Sequence, residues 1–417
     1  MEGSVRYKVA LRNETRHRLR TKIKSTDIVV GIPCYYDEDT IGYVIQQAAE
    51  GLARYFPKYR KVILVSDGGS LDDTREIIIA APVPKGVEKM VFIYRGLPGK
   101  GTAFRSVFEA SKILGAKVVL TLDSDLRSIT PLWIKLMAHP VLSGKYDYVT
   151  PYYLRHKYDG TISNNITYPL TRALYGLRIR QPMGGDFALS GDLAKAYLIE
   201  DVWMGDVARF GIDSWMTTEA INKGYRICQV ALGTKIHNPK EPSLKLGPMF
   251  REVVGTLFRL MEKYEYNWMQ VKGSKSIKIY DHYKTTEPEA LLVDVEGMIG
   301  QLAHHYSDCH DIWREIMPED GFRAVRELAH TKEIRNFKFP LDLWARIVYD
   351  FAVAYHQKEI SPDDVLDLFA PLYFARTGSF AQETLKMSSK EAERIIEKQA
   401  KAFEKEKPYL IERWEEV

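Results

Sequence analysis

An α/β fold on a doubly wound sheet, followed by an all-α C-terminal domain, is what this sequence of 417 residues predicts. Three observations lead there. Strand-like and helix-like stretches alternate from about residue 27. The apolar run Val118–Leu126 ends in two carboxylates, Asp123 and Asp125, where a buried parallel strand reaches its carboxyl edge, the edge at which open α/β sheets bind ligands. Beyond Pro248 the periodicity becomes helical.

The elements follow in order. Asp27–Pro33 reads as the first strand and Thr40–Tyr55 as an amphipathic helix after the polar turn Tyr36-Asp37-Glu38-Asp39. Lys61–Ser66 is the second strand, closed by the loop Asp67-Gly68-Gly69-Ser70, and Asp72-Asp73-Thr74 supply capping groups for the next helix. Met90–Tyr94 is a third strand, followed by a glycine-rich loop and a helix through Ile113. The fourth strand carries the aspartate pair, Tyr146–Tyr153 makes a fifth, and Arg226–Val230 a later one. Helices are predicted at Phe250–Tyr264, Glu287–His305, Ile312–Met317, Leu341–His356, Ser361–Ala375 and Ser389–Trp414, the last as a solvated surface helix with i,i+4 charge pairs. The expected division is a basic arm over 1–26, an α/β domain over 27–270 and a helical domain over 285–417.

Apolar, aromatic and charged fractions are those of an ordinary globular chain. Much of the positive excess lies in the first 24 residues, which, without stacked aromatics or a nucleic-acid module, read as a solvated arm rather than an RNA-binding one. Three scattered cysteines fit a reducing compartment and not a disulfide framework. No apolar leader-like region and no 18-residue apolar run is present, so a cytoplasmic protein without nucleic-acid or membrane partners is expected, assembled as a homo-oligomer.

A hard divalent cation takes oxygen ligands and shares its shell between carboxylates and substrate phosphates. A strand-terminal Asp-x-Asp therefore suits metal-assisted binding of a nucleotide diphosphate, the business of a nucleotide-sugar transferase. Asp37 and Asp39 repeat the spacing, but only Asp123 and Asp125 follow a continuous hydrophobic strand. Gly99-Lys100-Gly101 opens a helix after a strand, so its amides and the Lys100 ammonium can face phosphate or sugar hydroxyls; the same tetrapeptide with Pro98 is also an ordinary turn. Asp67 is placed for a base or ribose, and the loop from Pro33 through Tyr35 and Asp37 to Glu38 for wrapping the nucleotide, with Ser124 beside it. His237 can complete a Mg²⁺ or Mn²⁺ shell, although most lone histidines are structural. Gln181-Pro182-Met183-Gly184-Gly185-Asp186 is a tight loop whose glycines allow close ligand approach. Asp213 either serves chemistry or caps the helix Ser214–Ile221.

Taken together, Pro-Gly-Lys-Gly at 98–101, Asp-Ser-Asp at 123–125, Gln-Pro-Met-Gly-Gly-Asp at 181–186, Gly-Ile-Asp at 211–213 and His237 resemble, in order and separation, the mannosylglycerate synthase and glucosyl-3-phosphoglycerate synthase group of retaining GT-A glycosyltransferases. The resemblance covers most of 28–250, with a looser one around Asn336–Pro340 and Trp344–His356. It implies a GT-A, Rossmann-like fold that transfers glucose or mannose from a GDP-, UDP- or ADP-hexose to D-glycerate or 3-phosphoglycerate, using Mg²⁺ or Mn²⁺. It further implies that Asp125 and His237 hold the metal, that Asp123 meets the ribose or the metal, and that Lys100 lies near the donor. Gly184, Gly185, Asp186 and Asn238 would border the acceptor, and Asp213 the transferred sugar or the acceptor hydroxyl.

The chain departs from the phosphoglycerate branch where that branch has Arg-x-Thr and this sequence has Asn165-Ile166-Thr167. Tyr152-Tyr153-Leu154-Arg155 instead resembles the Tyr-x-x-Arg of the mannosylglycerate synthases, so the expected acceptor is free D-glycerate, its carboxylate on Arg155 with help from Thr167. Arg172, Arg178, Arg180 and Lys240 are the cations that could stand in for the missing arginine. Retention requires a carboxylate nucleophile or front-face attack, and Asp213 is expected to stabilise an oxocarbenium-like sugar rather than form an ester. A sugar-1-phosphate nucleotidyltransferase would carry a glycine-rich loop after the first strand, where Cys34-Tyr35-Tyr36-Asp37 stands here. A non-catalytic sugar-nucleotide-binding protein is the more distant alternative.

Overall fold

The computed structural model describes residues 9–238, 242–281 and 284–416. They fall into two compact units. One runs to Tyr153 and takes in Met183–Asn238 and Ile277–Thr286; the other consists of Leu154–Pro182, Pro239–Ser276 and Glu287–Val417. The units are thus interleaved along the chain, unlike the single cut expected near 270–285.

Strands, numbered along the chain, are β1 (Ile28–Cys34), β2 (Lys61–Asp67), β3 (Val87–Ile93), β4 (Val118–Thr121), β5 (Tyr148–Leu154), β6 (Leu177–Arg178), β7 (Phe187–Ser190), β8 (Ile227–Thr234), β9 (Lys275–Ser276) and β10 (Ile279–Tyr280). Eight of them form the sheet of the first unit, in the order β10-β8-β5-β7-β4-β1-β2-β3. β1 lies parallel to β2 and to β4, with Cys34 opposite Asp67 and Gly31 opposite Thr121. Every residue of β1, β2 and β4 is buried, as expected of strands covered on both faces.

The helices of this unit are α1 (Asn13–Arg18), α2 (Ile41–Tyr55), α3 (Thr74–Ala80), α4 (Lys100–Leu114), α5 (Pro131–Leu142), α7 (Gly191–Leu198) and α8 (Ile212–Asn222). α2 presents Ile41, Val44, Ile45, Ala48, Ala49 and Leu52 to the core, the spacing read from the sequence. α4 presses so closely on β1 that a Cβ on Gly31 would stand 2.4 Å from Val107 Cγ1.

Four strands were not anticipated, β6, β7, β9 and β10, and of these β7 bears on the site. β7 enters antiparallel between β4 and β5, pairing Phe187 with Thr121 and Ser190 with Val118. It begins where β4 ends, and the residue before it, Asp186, thereby arrives beside Asp123.

The N-terminal arm is a correction. Its described part, from residue 9, does not extend into solvent: Ala10, Leu11 and Leu19 are fully buried. The Glu109 carboxylate on α4 accepts the Ala10 and Leu11 amides at 2.7 and 3.1 Å, and Arg95 N–H donates to the Ala10 carbonyl. Residues 1–8 lie outside the described chain.

The second unit holds α6 (Tyr168–Tyr175), α9 (Pro242–Lys263), α10 (Glu265–Met269), α11 (Val295–Ile316), α12 (Glu319–Ala329), α13 (Leu341–Gln357), α14 (Pro362–Thr384) and α15 (Ser389–Glu415), with β6 and β9 as a small parallel pair. The helices expected at Glu287–His305 and Ile312–Met317 are one helix, α11, whose start is set by Asp294 accepting the Gly297 amide at 2.8 Å. α15 also differs from expectation. Ser388 and Glu391 form its capping box, and Ala392, Ile395, Ile396, Ala400, Phe403, Leu410 and Trp414 bury one of its faces. Its Lys/Glu richness belongs to the opposite face. Among the described residues no helix is long and apolar enough to cross a membrane.

Replacing Glu109 with alanine should leave two buried amides without an acceptor, at roughly 1–3 kcal/mol each. We expect a loss of about 2–4 kcal/mol in denaturant unfolding, with the Ala10 and Leu11 amides exchanging faster than those of β1.

Candidate active site

The site lies in the first unit, at the carboxyl edge of β1, β2 and β4. β4 ends at Thr121, and the chain then turns through Asp123, Ser124 and Asp125. Asp123 sits between two lysines. Its Oδ1 is 2.8 Å from Lys100 Nζ, and its Oδ2 is 2.8 Å from Lys235 Nζ. Lys100 reaches on to Asp213 Oδ2 at 2.9 Å, and Lys235 to Asp186 Oδ2 at 2.9 Å. Five side chains therefore form one row of alternating charge: Asp186, Lys235, Asp123, Lys100, Asp213.

The local sequence explains the row. Lys100 is the first residue of α4, and Gly101 behind it lets the helix seat on the backbone of Val207, whose oxygen would be 1.8 Å from a Cβ there. Gly185, at φ +86°, is needed for the approach of Asp123, since a Cβ would lie 2.0 Å from Asp123 Oδ2. Gly184 packs on Pro151 and accepts from both Tyr153 OH and Lys235 Nζ. The glycine pair thus first serves the carboxylate row.

Burial works against every charge here, and the neighbours decide the outcome. Against its burial cost, the two ammonium groups hold the Asp123 carboxyl well below the usual range. Burial, reinforced by the charge of Asp123, pushes Asp186 up to about 6 despite Lys235. Asp213 is likewise raised by burial, with Asp123 adding to the rise and Lys100 opposing it. Its Oδ1 is buried and has no hydrogen-bond partner among the described residues.

Asp125 and His237 meet. His237 Nδ1 lies 3.8 Å from Asp125 Oδ2, and each side chain keeps 14% of its surface exposed. Leu126 and His237 form an isolated antiparallel bridge, and Asn238 N–H donates to the Asp125 carbonyl at 3.3 Å. An oxygen and an imidazole nitrogen suit a divalent cation. Among the described residues no group of three or more His, Cys, Asp or Glu side chains could hold an ion alone, so a cation on this pair would take its remaining ligands from water or a bound phosphate. Asp123, expected at the ribose or the metal, instead has both oxygens in ion pairs.

Beside the pair, Asp37 Oδ2 accepts Ser124 Oγ at 2.6 Å and the Tyr35 amide at 2.9 Å. The loop from Pro33 to Glu38 is therefore tied to the aspartate turn, with the Tyr35 ring 58% exposed. Asp67 departs from expectation. Its fully buried carboxylate accepts the Ser70 amide and hydroxyl, at 3.1 and 2.7 Å, and so shapes the loop instead of facing a ligand.

Arg155 and Thr167 belong to the helical unit. Arg155 Nε pairs with Asp159 at 2.8 Å, and Thr167 is buried in the turn Ser163–Thr167. Of the alternative cations, Arg172 pairs with Glu397 and Glu404 at 2.6 and 2.9 Å, Arg180 with Glu393 at 2.7 Å, and Arg178 donates to Ser274. Lys240 lies outside the described residues. Lys235 and Tyr153 are the site residues that sequence reasoning missed as such; the one available signal is that Lys235 stands two positions before His237, on the same side of an extended segment.

The sheet with its strand-edge acidic site has the Rossmann-like GT-A architecture, and residues 29–189 match glycosyl transferase family 2. The chain is 28% identical over 259 residues, 55% of its length and 72% of the relative's, to glucosyl-3-phosphoglycerate synthase of Mycobacterium tuberculosis, and to the same degree to that of Mycobacterium bovis. A crystal structure of the M. tuberculosis enzyme with Mn²⁺, UDP and phosphoglyceric acid covers 59% of this chain and 82% of its own, at 24% identity and a TM-score of 0.45. This chain is thus similar, over part of its length, to the glucosyl-3-phosphoglycerate synthases.

Because Asp186 is protonated more readily folded than unfolded, its contribution to stability is complete below pH 3.8 and is lost as pH rises through about 6. A carbon-detected NMR titration should place its carboxyl midpoint near pH 6; replacing Lys235 with methionine should move that midpoint higher, since the ammonium favours the ionised form.

Proposed function

We propose that this chain is a metal-dependent, retaining glycosyltransferase that moves glucose or mannose from a nucleoside-diphosphate hexose to D-glycerate. The observation that carries the reading is the meeting of Asp125 and His237 across 3.8 Å beside the Asp123 charge row. Asp125 and His237 would hold a Mg²⁺ or Mn²⁺ ion together with donor phosphate oxygens. When bound, such an ion supplies positive charge to the leaving diphosphate.

The chain's own groups do the rest. Lys100, at the start of α4 and 15% exposed, adds its ammonium where donor charge develops. Asp213 is steered by Lys100 so that Oδ2 is taken and the buried Oδ1 stays available to a hydroxyl of the sugar or acceptor. That placement suits stabilising positive charge at the anomeric centre. The tied loop of Pro33, Tyr35 and Asp37 supports the nucleotide, with Ser124 fixing it to the aspartate turn.

For the acceptor, charge decides between the two acids. Arg155, Arg172 and Arg180 each pair with carboxylates, which lowers the positive charge these residues offer a phosphate dianion. A singly charged carboxylate is the better match, and D-glycerate follows. The second reading, 3-phosphoglycerate, is supported by the names of the curated relatives.

Transfer measured with GDP-, UDP- and ADP-hexoses should depend on Mg²⁺ or Mn²⁺ and should favour D-glycerate over 3-phosphoglycerate by at least about tenfold in kcat/KM, about 1.4 kcal/mol of discrimination. A preference of similar size for 3-phosphoglycerate would select the second reading. Asp125→Ala and His237→Ala should each reduce turnover by roughly 100-fold or more with thermal stability unchanged; full turnover in excess chelator would remove the cation from the reaction. Asp213→Asn should lower kcat more than it raises KM, and a glycosyl ester trapped on Asp213 would replace charge stabilisation by covalent catalysis.

A further inference from the structure

Lys235 has no role in the reading above, yet it is among the most enclosed charges of the unit, its side chain only 1% exposed. Its ammonium faces four oxygens: Asp123 Oδ2 at 2.8 Å, Asp186 Oδ2 and the Gly184 carbonyl at 2.9 Å each, and Tyr153 OH at 3.2 Å. Three N–H bonds shared among four oxygens fix the ammonium at one point. The Tyr153 ring, 5.2 Å away, flanks it.

What that point controls is set by sequence spacing. Lys235 precedes His237 by two residues, and Asp123 precedes Asp125 by two, so the Lys235–Asp123 ion pair holds the chain close to each member of the Asp125–His237 pair. These segments share no regular strand pairing. They are joined by a few contacts: Arg127 N–H to the Ile236 carbonyl at 2.8 Å, Ile236 N–H to Ser128 Oγ at 2.9 Å, the Leu126–His237 bridge, and Asn238 N–H to the Asp125 carbonyl. So few bonds leave the separation of the two antiparallel segments soft, and the Lys235–Asp123 ion pair adds a further tie between them. Lys235 also joins Gly184 and Asp186, in the turn before β7, to the end of β4, so three separate segments converge on one ammonium.

We propose that Lys235 is a positioning residue for the cation site: by clamping Asp123 to Asp186 and Gly184 it sets the distance between Asp125 and His237 and thereby the affinity of that pair for a divalent ion. The inference rests on the metal-dependent reading, and its mechanism is that of outer-shell contacts, whose loss typically weakens metal binding by roughly 10–100-fold.

The test is a titration of the full chain with Mn²⁺, followed by the electron paramagnetic resonance signal of the free ion, in the presence of whichever of GDP, UDP or ADP the unmodified protein binds best. Lys235→Met should weaken Mn²⁺ binding by roughly 10–100-fold. Because that variant leaves Asp186 without its ammonium partner, with only the Asp123 amide at 3.0 Å, the double variant Lys235→Met, Asp186→Asn carries the same question without the extra buried charge. It should recover thermal stability but not Mn²⁺ affinity. Recovery of affinity in the double variant, or unchanged affinity in the single one, would show that Lys235 only neutralises Asp186 and would overturn the proposal. Absence of nucleotide-dependent Mn²⁺ binding in the unmodified protein is a different failure, that of the metal-dependent reading itself.

Discussion

Asp123 is held between two ammonium groups, and the surrounding backbone is built to permit it. A carboxylate with one-fifth of its side chain exposed, and four further charged groups more enclosed than it, are costly to take from water unless each finds an opposite charge at contact distance. The alternation Asp186, Lys235, Asp123, Lys100, Asp213 provides that at every step, with separations of 2.8–2.9 Å. Steric room comes from glycine: Gly185 where Asp123 leans in, Gly184 against Pro151, and Gly101 where α4 meets Val207. Electrostatics and backbone geometry are one constraint here, since any Cβ at 185 would occupy the place of an Asp123 oxygen.

Topology brings the row together. β4 delivers Asp123 at its carboxyl end, while β7, running the other way, delivers Asp186 at its start. A parallel strand in the same place would have put its first residue at the far edge of the sheet. α4 contributes Lys100 from its first turn, α8 contributes Asp213 from its own, and the segment after β8 contributes Lys235 and His237. Each charged group thus comes from the end of an element, where backbone direction is set by packing behind it.

How far the sequence revealed this varies with the range of the interaction. β1, β2, β4 and α2 were legible because burial on both faces, or on one stripe, is written in local periodicity. Asp125 and His237 are separated by more than a hundred residues, and only the joint motif pattern suggested their meeting. Lys235 left only its spacing from His237 as a mark, because a buried lysine and a surface lysine look alike until its partners are placed. Asp67 was misread since a strand-end aspartate can face a ligand or hold its own loop, and the Ser70 that decides the matter is a common turn residue. The arm and α15 were taken as solvated because charge dominates their composition, yet a few apolar positions, Leu11 and Leu19 in one, Ile396 and Phe403 in the other, dictate docking. β7 was overlooked because four residues carry too little alternation to be read.

Charge counting then constrains how a donor can enter. Lys100 and Lys235 pair with Asp123, Asp186 and Asp213, and Asp125 stands beside His237, so two ammonium groups stand against four carboxylates and the site is two positive charges short of neutral when all are ionised. A nucleoside diphosphate carries negative charge of its own, and a site of this sign repels it at close range in a partly buried setting. On the proposed reading, neither the donor nor a divalent ion would be well accommodated alone: the donor would lack counter-charge, and the ion would have only the Asp125 oxygen and the His237 ring. Each supplies what the other needs, so their binding is coupled, and by linkage the coupling is the same in both directions. The lysines offset only part of this, because each ammonium is already shared between two aspartates. Lys100 can lend the donor part of its charge, and the remaining balance would be left for a cation to complete.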